Sequence, residues 1–323
     1  MDIDCLSAGI LVADHLCAPL PRLPRSGELV ISARLPLAIG GCAANVAIDL
    51  TRVGVRTAVA GCVGRDPFGR FIIDTLAAHG IDPSAIRTME GVETSGSLII
   101  NVIGDDRRFI HCPGANAVLQ AADISIEQIR RAKVFYIGGY LLMPALERPD
   151  GLAALFREAR RSGVVTVLDV VVPDVVVPGG GDHWSRLAPV LAETDVFLPN
   201  DDEAKLITGL DDPLAQAERF RAAGARTVVI TQGLHGATLV ADKLRLRSGV
   251  YPTEFVGATG SGDAFDAGYI VGLLAGCDPL GCLKWGAALG ASCVRSLSAT
   301  ESVFNRGEAE DFMKWHDLPI AVL

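Results

Sequence analysis

A glycine-rich loop that leads into an apolar helix is the segment of this sequence best suited to chemistry. Residues 256–265 read Val-Gly-Ala-Thr-Gly-Ser-Gly-Asp-Ala-Phe, and apolar residues then recur at helical spacing as far as Leu274. The first amides of a helix have no acceptor within the helix and lie at the positive end of its dipole. The loop therefore has the pattern of an anion site.

The acidic residue at the end of this loop indicates which anion chemistry is involved. Gly257 to Gly262 matches the glycine spacing of a P-loop, but Asp263 stands where that motif has lysine. A carboxylate cannot cradle a phosphate, but it can take a proton from a hydroxyl while nearby amides hold developing negative charge. That combination suits phosphoryl transfer to an alcohol. The loop alone is equally consistent with a tight turn in which Asp263 stabilises the helix dipole.

A second glycine pair precedes another predicted helix. Gly40-Gly41-Cys42-Ala43-Ala44-Asn45 places an asparagine in the first turn of that helix. Asparagine can both donate hydrogen bonds to sugar hydroxyls and accept them. Taken alone, the segment is better explained by a plain turn, with the asparagine there for local reasons.

Two further polar segments each follow a predicted strand. Asn200-Asp201-Asp202-Glu203 places carboxylates where open α/β sheets bind ligands, which suits a magnesium nucleotide. The same residues also form a capping-box pattern, with Asn200 as the N-cap. In the second segment, which begins at Thr231, Gly233 and Gly236 allow the backbone to approach a phosphate or a base closely, or form a simple turn.

Histidine and arginine offer fewer candidates. His15, beside Asp14, is the one histidine placed where it could reach a substrate, and a surface position explains it equally well. Arg107 and Arg108 lie in a predicted hairpin, where a solvated pair is expected. The alternative is that Arg108 grips an acidic or phosphorylated substrate, since arginine binds such groups in bidentate fashion.

Short apolar strands that alternate with amphipathic helices must position these segments. This alternation predicts an α/β fold with a mostly parallel sheet covered by helices on both faces. Glycines at 54, 80, 163 and 224 follow the last periodic residue of a helix, where a left-handed conformation favours glycine. The predicted strands are 57–62, 134–137, 164–169, 196–198 and 227–231. The predicted helices are 43–53, 68–79, 151–161, 202–207 and 213–223.

Two regions interrupt the alternation. Residues 11–39 are rich in proline and include short extended pieces such as 28–32, and residues 94–116 contain a hairpin pattern around Gly104-Asp105-Asp106. We expect both regions to form a small second sheet inserted into a single domain that spans residues 1–323. Residues 172–182 are expected to form a loop.

Composition and charge limit the classes of protein and of binding partner to consider. The 323 residues are half hydrophobic, which excludes a disordered chain, and the net charge of −9 without any lysine or arginine run disfavours nucleic acid. The acidic N-terminus does not resemble a signal peptide, and the apolar stretch 267–277 is about half of the ~20 residues that span a bilayer. We therefore expect a soluble, cytoplasmic protein whose eight cysteines are reduced and mostly buried.

Taken in order, these segments resemble the ribokinase-like carbohydrate kinase family of the phosphofructokinase-B type. The resemblance covers roughly residues 3–303, and its motifs are far more specific together than singly. The motifs are Gly40-Gly41 followed by Asn45, the glycine-rich block 61–69, Pro113-Gly114-Ala115-Asn116, Asn200 to Glu203, and Gly257 to Asp263.

The resemblance implies a role for each matched position. Asp263 would be the general base on the acceptor hydroxyl, and Glu203 together with Asn200 would organise Mg²⁺ and the phosphates, through water. The anion hole would consist of the amides of Gly260, Ser261, Gly262 and Asp263. The expected nucleotide contacts are Asn200, Glu203, Thr231, Gly233 and Gly236. The expected substrate contacts are Asp14, Gly41, Asn45 and Arg108.

The resemblance also implies an activity. We expect an ATP-dependent kinase that phosphorylates a hydroxymethyl group of a sugar or sugar-like acceptor beneath a lid that closes, excludes water and forms a homodimer contact. Ribokinases proper carry lysine where this chain has Cys42, so ribose is not assigned as the acceptor. Because Gly257 replaces an aspartate that binds monovalent cations in many members, we expect no strong potassium activation. The alternatives are a nucleoside or sugar-phosphate kinase, and a catalytically silent sugar- or nucleotide-binding regulator.

Overall fold

A ten-stranded sheet forms the middle layer of the fold in the computed structural model, which describes residues 3–104, 108–148, 151–173 and 182–323. A separate four-stranded sheet lies beside it. The strands of both sheets are β1 Cys5–Gly9, β2 Val12–Leu20, β3 Leu37–Gly40, β4 Thr57–Gly64, β5 Asp82–Met89, β6 Gly96–Val102, β7 Arg108–Cys112, β8 Val134–Tyr140, β9 Val165–Val170, β10 Val196–Phe197, β11 Thr227–Thr231, β12 Ala237–Ala241, β13 Leu244–Ser248 and β14 Ile320–Val322.

Helices cover both faces of the large sheet. Alternate residues of one strand belong to different core clusters: Phe135 packs on one face of the sheet and Tyr136 on the other. The helices are α1 Cys42–Arg52, α2 Pro67–Ala78, α3 Ile126–Arg130, α4 Gly151–Arg161, α5 His183–Leu191, α6 Asp201–Thr208, α7 Pro213–Ala222, α8 Ser261–Leu274, α9 Pro279–Cys293 and α10 Arg306–Trp315.

The strand order of the large sheet is β14-β13-β12-β11-β10-β9-β8-β1-β4-β5. Neighbours from β11 to β5 are parallel, and β12 to β14 add an antiparallel edge. All eight residues of β4 and all seven of β8 are buried, as expected for strands covered on both faces. The predicted α/β class with a mostly parallel sheet is confirmed.

The small sheet has the strand order β3-β2-β6-β7. Its strands come from the two regions that interrupt the α/β alternation. The predicted hairpin is present as the antiparallel pair β6 and β7, while residues 105–107 at its turn lie outside the described residues. The prediction of an extended piece at 28–32 is not matched by a strand, because no neighbouring strand pairs with that segment.

Local signals place the helix ends well. Gly54, Gly80, Gly163 and Gly224 all have positive φ angles, which confirms the predicted left-handed positions. At Gly224 a Cβ would also lie 2.6 Å from the Ala192 Cα. Most of the predicted loop 172–182 lies outside the described residues.

The structure also bears on the expectations for the cysteines and for a membrane-spanning helix. Each of the eight cysteines, all within the described residues, is outside any disulfide, and six of them are buried. Within the described ranges, no helix has both the length and the apolar composition that a bilayer span requires.

Candidate active site

The glycine-rich loop places a left-handed residue immediately before α8. Gly260 is the N-cap of this helix, with φ 77°. A Cβ at Gly260 would lie 2.6 Å from both the Cβ and the carbonyl oxygen of Ala299. Glycine is therefore required by the backbone conformation and by the close packing of the neighbouring loop.

The N-terminal amides of α8 are largely unpaired. No side chain caps the helix, and the amides of Gly260, Gly262 and Asp263 have no acceptor among the described residues. The Ser261 amide instead donates to the Ala258 carbonyl at 3.2 Å. A Cβ built at Gly262 would contact nothing within 4 Å, so this end of the helix borders open space. Three of the four amides that are expected to form the anion hole are therefore available to bind an anion.

Two helices meet at the carboxylate that follows this loop. The Asn45 Nδ2 of α1 donates to the Asp263 Oδ2 at 2.8 Å, and these residues are 218 positions apart. Helix α1 begins after Gly41, its N-cap, which has φ 89°. A Cβ at that position would lie 2.4 Å from the Ile10 carbonyl oxygen. The structure thus brings together the two glycine-rich segments that the sequence analysis treated separately.

A thiol and a second carboxylate complete the immediate surroundings of Asp263. One ligand atom from each of Cys42, Asp169 and Asp263 lies within 4.8 Å of the other two. Asp169 is near the end of β9, and its Oδ2 accepts the Gly139 amide at 3.1 Å. Burial, followed by the charge of Asp263, holds the pKa of the Cys42 thiol well above its usual value, so this thiol is protonated at neutral pH.

Further carboxyl groups lie beneath the site. Asp266 is 2% exposed and accepts a hydrogen bond of 3.0 Å from the Tyr136 hydroxyl. Asp49 is fully buried, and neither of its oxygens has a partner among the described residues. Burial raises the pKa of Asp263, Asp169, Asp266 and Asp49, and the charge of Asp263 raises the other three further. The centre therefore concentrates carboxyl groups whose ionised forms are disfavoured by burial and by one another.

The strand ends at β10 and β11 hold the residues expected to bind nucleotide. Asn200 and Glu203 form the capping box of α6: the Glu203 amide donates to the Asn200 Oδ1 at 2.8 Å, and the Asn200 amide donates to the Glu203 Oε2 at 3.1 Å. Asn200 also forms a parallel bridge with Thr231. Burial raises the pKa of Glu203 to about 7, and the charge of Asp263 contributes to the increase.

The turn after β11 is built on glycine. Gly233 has φ 52°, and Gly236 has φ 88°. A Cβ at Gly236 would lie 1.9 Å from the Ser248 carbonyl oxygen, so only glycine fits there. The structure thus places Asn200, Glu203 and Thr231 together and puts both glycines in the turn that follows.

Asp14 approaches the same centre from the small sheet. A Cβ at Gly40 would lie 1.9 Å from the Asp14 Oδ2, so the carboxyl packs against the glycine pair that precedes α1. Burial raises the pKa of Asp14 to about 6, against a hydrogen bond from Ser97, and the charge of Asp263 raises it further. Asp14, Gly41 and Asn45 therefore lie together beside Asp263.

The remaining two candidates lie elsewhere on the small sheet. His15 packs edge-on against Phe68, with 5.5 Å between ring centroids, which is a packing role on α2. Arg108 is exposed and pairs with Ile100 in the ladder. Because side chains alternate along a strand, Arg108 lies on the opposite face of β7 from His111.

The sequence analysis missed Asp169 and Asp266, although the sequence contains a signal for each. Asp169 is the last residue of the predicted strand 164–169, at the edge where parallel sheets bind ligands. Asp266 follows Asp263 at helical spacing, so the two lie on neighbouring parts of one helix surface. Nothing in the sequence brings Asp49 to the centre, since its position depends on how α1 packs against α8.

Comparisons with known proteins show what the chain as a whole is similar to. The chain is 28% identical over 284 residues to a 5-dehydro-2-deoxygluconokinase of Clostridium perfringens, covering 85% of this chain and 84% of that protein. The fold is similar to that of Arabidopsis thaliana ribokinase complexed with ribose and ATP, with a TM-score of 0.82, 22% identity and coverage of 98% and 100%. It is also similar to an E. coli protein described as ribokinase II in complex with ATP and Mg²⁺, with a TM-score of 0.80, 22% identity and coverage of 97% and 99%.

The fold and these relatives define the class of the protein: it is a phosphotransferase with an alcohol group as acceptor. The sequence profile of the pfkB family carbohydrate kinases matches residues 5–305, which is most of the chain. The chain belongs to the pfkB family of carbohydrate kinases.

Proposed function

We propose that this protein transfers the γ-phosphoryl group of ATP to a hydroxymethyl group of a sugar or sugar-like acceptor, with Asp263 as the general base. One observation carries the proposal. The Asp263 carboxylate stands at a helix terminus where three of the first amides have no acceptor among the described residues, and the Asn45 Nδ2 donates to it at 2.8 Å. A proton acceptor and an anion site are thus adjacent, as phosphoryl transfer to an alcohol requires.

Each group at the centre has a defined task. Asp263 accepts the proton of the acceptor hydroxyl, which then attacks the γ-phosphorus as the bond to the ADP oxygen breaks. The amides of Gly260, Gly262 and Asp263 stabilise negative charge on the transferred group, and we assign Ser261 the same role once its amide turns away from Ala258. The raised pKa of Asp263 makes its carboxylate a better proton acceptor than an ordinary aspartate.

The strand ends of β10 and β11 fit the nucleotide side of the reaction. We assign Asn200, Glu203 and Thr231 to the phosphates and their Mg²⁺, with the turn at Gly233 and Gly236 next to the nucleotide. Oxygen ligands suit Mg²⁺. Burial, and after it repulsion from neighbouring carboxylates, raises the pKa of Glu203 and Asp169, so a divalent cation here would stabilise their ionised forms. Glu203 would hold the ion through water, and the bound ion would neutralise phosphate charge.

The acceptor side is formed by Asp14, Gly41 and Asn45. Asp14 and Asn45 offer hydrogen-bonding groups to sugar hydroxyls, and Gly41 lets the backbone approach closely. The small sheet carries Asp14, so its closure over the acceptor would exclude water from the phosphoryl group. We keep Arg108 as a contact for an acidic acceptor. Because Arg108 is exposed on β7, this contact would require that strand to shift.

The outer face of the small sheet supports a homodimer. Leu98 is 39% exposed and Ile110 is 63% exposed, and the two are paired across β6 and β7. We propose that a second copy of the chain covers this apolar face. Sedimentation of wild type and Ile110→Lys tests the proposal: wild type should sediment as a dimer and the variant as a monomer, and a monomeric wild type would contradict it. Eight cysteines outside any disulfide favour the reducing cytoplasm as the site of action.

A coupled assay of ADP release tests the proposed function. Wild type, Asp263→Asn and the matched control Asp242→Asn, an exposed carboxyl in the turn after β12, are compared with Mg-ATP and a panel of sugars, sugar acids, sugar phosphates and nucleosides. We expect acceptor-dependent ADP release that Asp263→Asn removes and Asp242→Asn retains. Silence across the panel, with ATP still bound in calorimetry, would favour the silent regulator instead.

A further inference from the structure

Three polar side chains form a row across the small sheet. Asp14 on β2 is opposite Ser97 on β6, and Ser97 is opposite His111 on β7. Residues paired in this way present their side chains on the same face. The row begins beside the reaction centre, because Asp14 is close enough for the charge of Asp263 to raise its pKa. With about 4.8 Å between neighbouring strands, it extends roughly 10 Å across the sheet.

The contacts along the row favour one placement of its protons. The Ser97 Oγ lies 3.1 Å from the His111 Nδ1, and Ser97 lies opposite Asp14, whose pKa it lowers by hydrogen bonding. A hydroxyl has one proton, and when Ser97 directs that proton at the Asp14 carboxylate, the proton between Ser97 and His111 belongs to Nδ1. Burial lowers the pKa of His111, so the ring is neutral at physiological pH and carries only that proton.

The network leaves one ring nitrogen of His111 without a proton. Its Nε2 is buried and has no hydrogen-bond partner within the described part of the chain. A bare acceptor that is removed from water costs free energy until a donor reaches it. His111 is thus prepared to accept a hydrogen bond that nothing else in the described chain supplies.

We propose that His111 determines acceptor specificity by accepting, at Nε2, a hydrogen bond from a hydroxyl at the end of the acceptor remote from the phosphorylated hydroxymethyl group. The inference rests on the proposed function, because it places the acceptor in the same site. The acceptor class that fits is an uncharged sugar or polyol. A carboxylate or phosphate at that end would face the lone pair of Nε2 and the nearby Asp14 carboxylate, which both repel it.

The ring protonation can be measured before any acceptor is known. Protein labelled with ¹⁵N at histidine is examined by long-range proton–nitrogen correlation, and His111→Phe and His79→Phe assign the signals. We expect His111 to show a protonated Nδ1 and a pyridine-like Nε2, with this form weakened in Ser97→Ala. A protonated Nε2 in wild type, or a spectrum that Ser97→Ala leaves unchanged, would overturn the proposal.

Kinetics then test specificity directly. Phenylalanine at 111 keeps a flat ring but removes the acceptor atom, whereas glutamine keeps an acceptor oxygen. With the best neutral acceptor, we expect His111→Phe to raise the acceptor KM at least about tenfold while kcat and the ATP KM barely change, the loss of one hydrogen bond. His111→Gln should recover part of the loss, and His79→Phe should resemble wild type.

The deoxy analogue of the acceptor provides the decisive comparison. An analogue without the remote hydroxyl should bind wild type as weakly as the complete acceptor binds His111→Phe, and the substitution should not weaken it further. Equal losses with both compounds, or preference for an acidic acceptor that Arg108→Ala abolishes, would overturn the proposal. Failure of the proposed function is distinguishable, because wild type would then show no acceptor-dependent ADP release that Asp263→Asn removes, while the ring measurement still decides the protonation of His111.

Discussion

Helices α6 and α8 both begin at the ligand-binding edge of the large sheet, and both carry a carboxylate in the first turn. At α6 the side chains of Asn200 and Glu203 satisfy the first amides reciprocally. At α8 no side chain caps the helix, and Asp263 turns instead to Asn45 on another helix. One terminus is completed by its own residues, and the other is left open to a ligand.

This difference separates a helix terminus that is capped by its own side chains from one whose amides stay available to a ligand. A capping box stabilises its helix but occupies the amides that an anion would need. An uncapped terminus loses that stabilisation and keeps the partial positive charge of its amides available. The left-handed Gly260 and the tertiary contact to Asn45 make the open arrangement possible at α8. In the proposed function, Glu203 acts through its side chain, whereas α8 acts through its backbone amides.

The largest effect is expected from removing the base at the open terminus. Asp263→Asn should lower kcat by roughly 10²–10⁴-fold with little change in ATP affinity, since the amide keeps the shape but cannot take a proton. Steady-state kinetics and calorimetry with ATP measure both quantities. Turnover within a few-fold of wild type would refute the assignment of Asp263, and Asp242→Asn serves as the control.

The next effect comes from the partner that holds this carboxylate. Asn45→Ala should raise the acceptor KM about tenfold, the loss of one hydrogen bond to a charged or substrate group, and change the ATP KM much less. The contrast between the two KM values is the readout. Equal changes in both would argue that Asn45 only supports the fold.

Adding a side chain at the N-cap of α8 should reduce the stability of the protein. Gly260→Ala introduces a Cβ against Ala299 at a left-handed residue, and we expect a loss of about 1–3 kcal/mol in the free energy of unfolding. Urea unfolding measures it. Gly262→Ala is the matched control, because its Cβ would meet nothing within 4 Å. Equal stability of the two variants would contradict the packing argument.

The carboxyl groups in the first turns of α6 and α8 predict how the stability of the protein depends on pH. Raised pKa values mean that the native state holds protons that the unfolded chain has released, so the free energy of unfolding falls as pH rises from about 4 to about 7. Glu203→Gln should reduce this loss by about 1–3 kcal/mol across that range, because a pKa raised from 4.5 to about 7 corresponds to about 3 kcal/mol before solvent screening. Urea unfolding without ligand at pH 5 and pH 7.5 tests it, and a steeper slope in the variant would refute the assignment.

The smallest effect is expected at the capped terminus. Asn200→Ala removes one half of the capping box and should cost about 1 kcal/mol of stability. Its effect on turnover sharpens the comparison of the two helices, because a structural cap alone would leave the ATP KM unchanged. A raised ATP KM at saturating Mg²⁺ would support the proposed contact with the phosphates. Asp212→Ala, which removes the N-cap of α7, is the matched control.

Much of the large sheet and its helices could be predicted because their signals are local. The predicted helix 151–161 coincides with α4, and the predicted strand 227–231 coincides with β11. Strand β5 was missed since its residues are mostly exposed or half-buried and show no continuous apolar run. The antiparallel strands β12 and β13 were missed because the rhythm of strand and helix ends before them.

The residues of the candidate site also differ in whether a local pattern could predict them. Asp263, Asn45 and Asn200 were found because each belongs to a motif read within a few residues. Asp169 and His111 were not, because their chemistry depends on partners far away in the chain. The sequence analysis considered His15 the one histidine placed for chemistry, but the structure packs it on Phe68 and gives an unpaired, buried nitrogen to His111.

By itself, the sequence determined the α/β class, the family resemblance and the candidate residues for proton transfer and anion binding. These follow from hydrophobic periodicity, glycine positions and short motifs, which are properties of neighbouring residues. Only the tertiary structure decided that Asn45 meets Asp263 across 218 positions and that Asp14, Ser97 and His111 form one row. Such contacts depend on strand register and on how helices pack, and no local pattern in the chain specifies either.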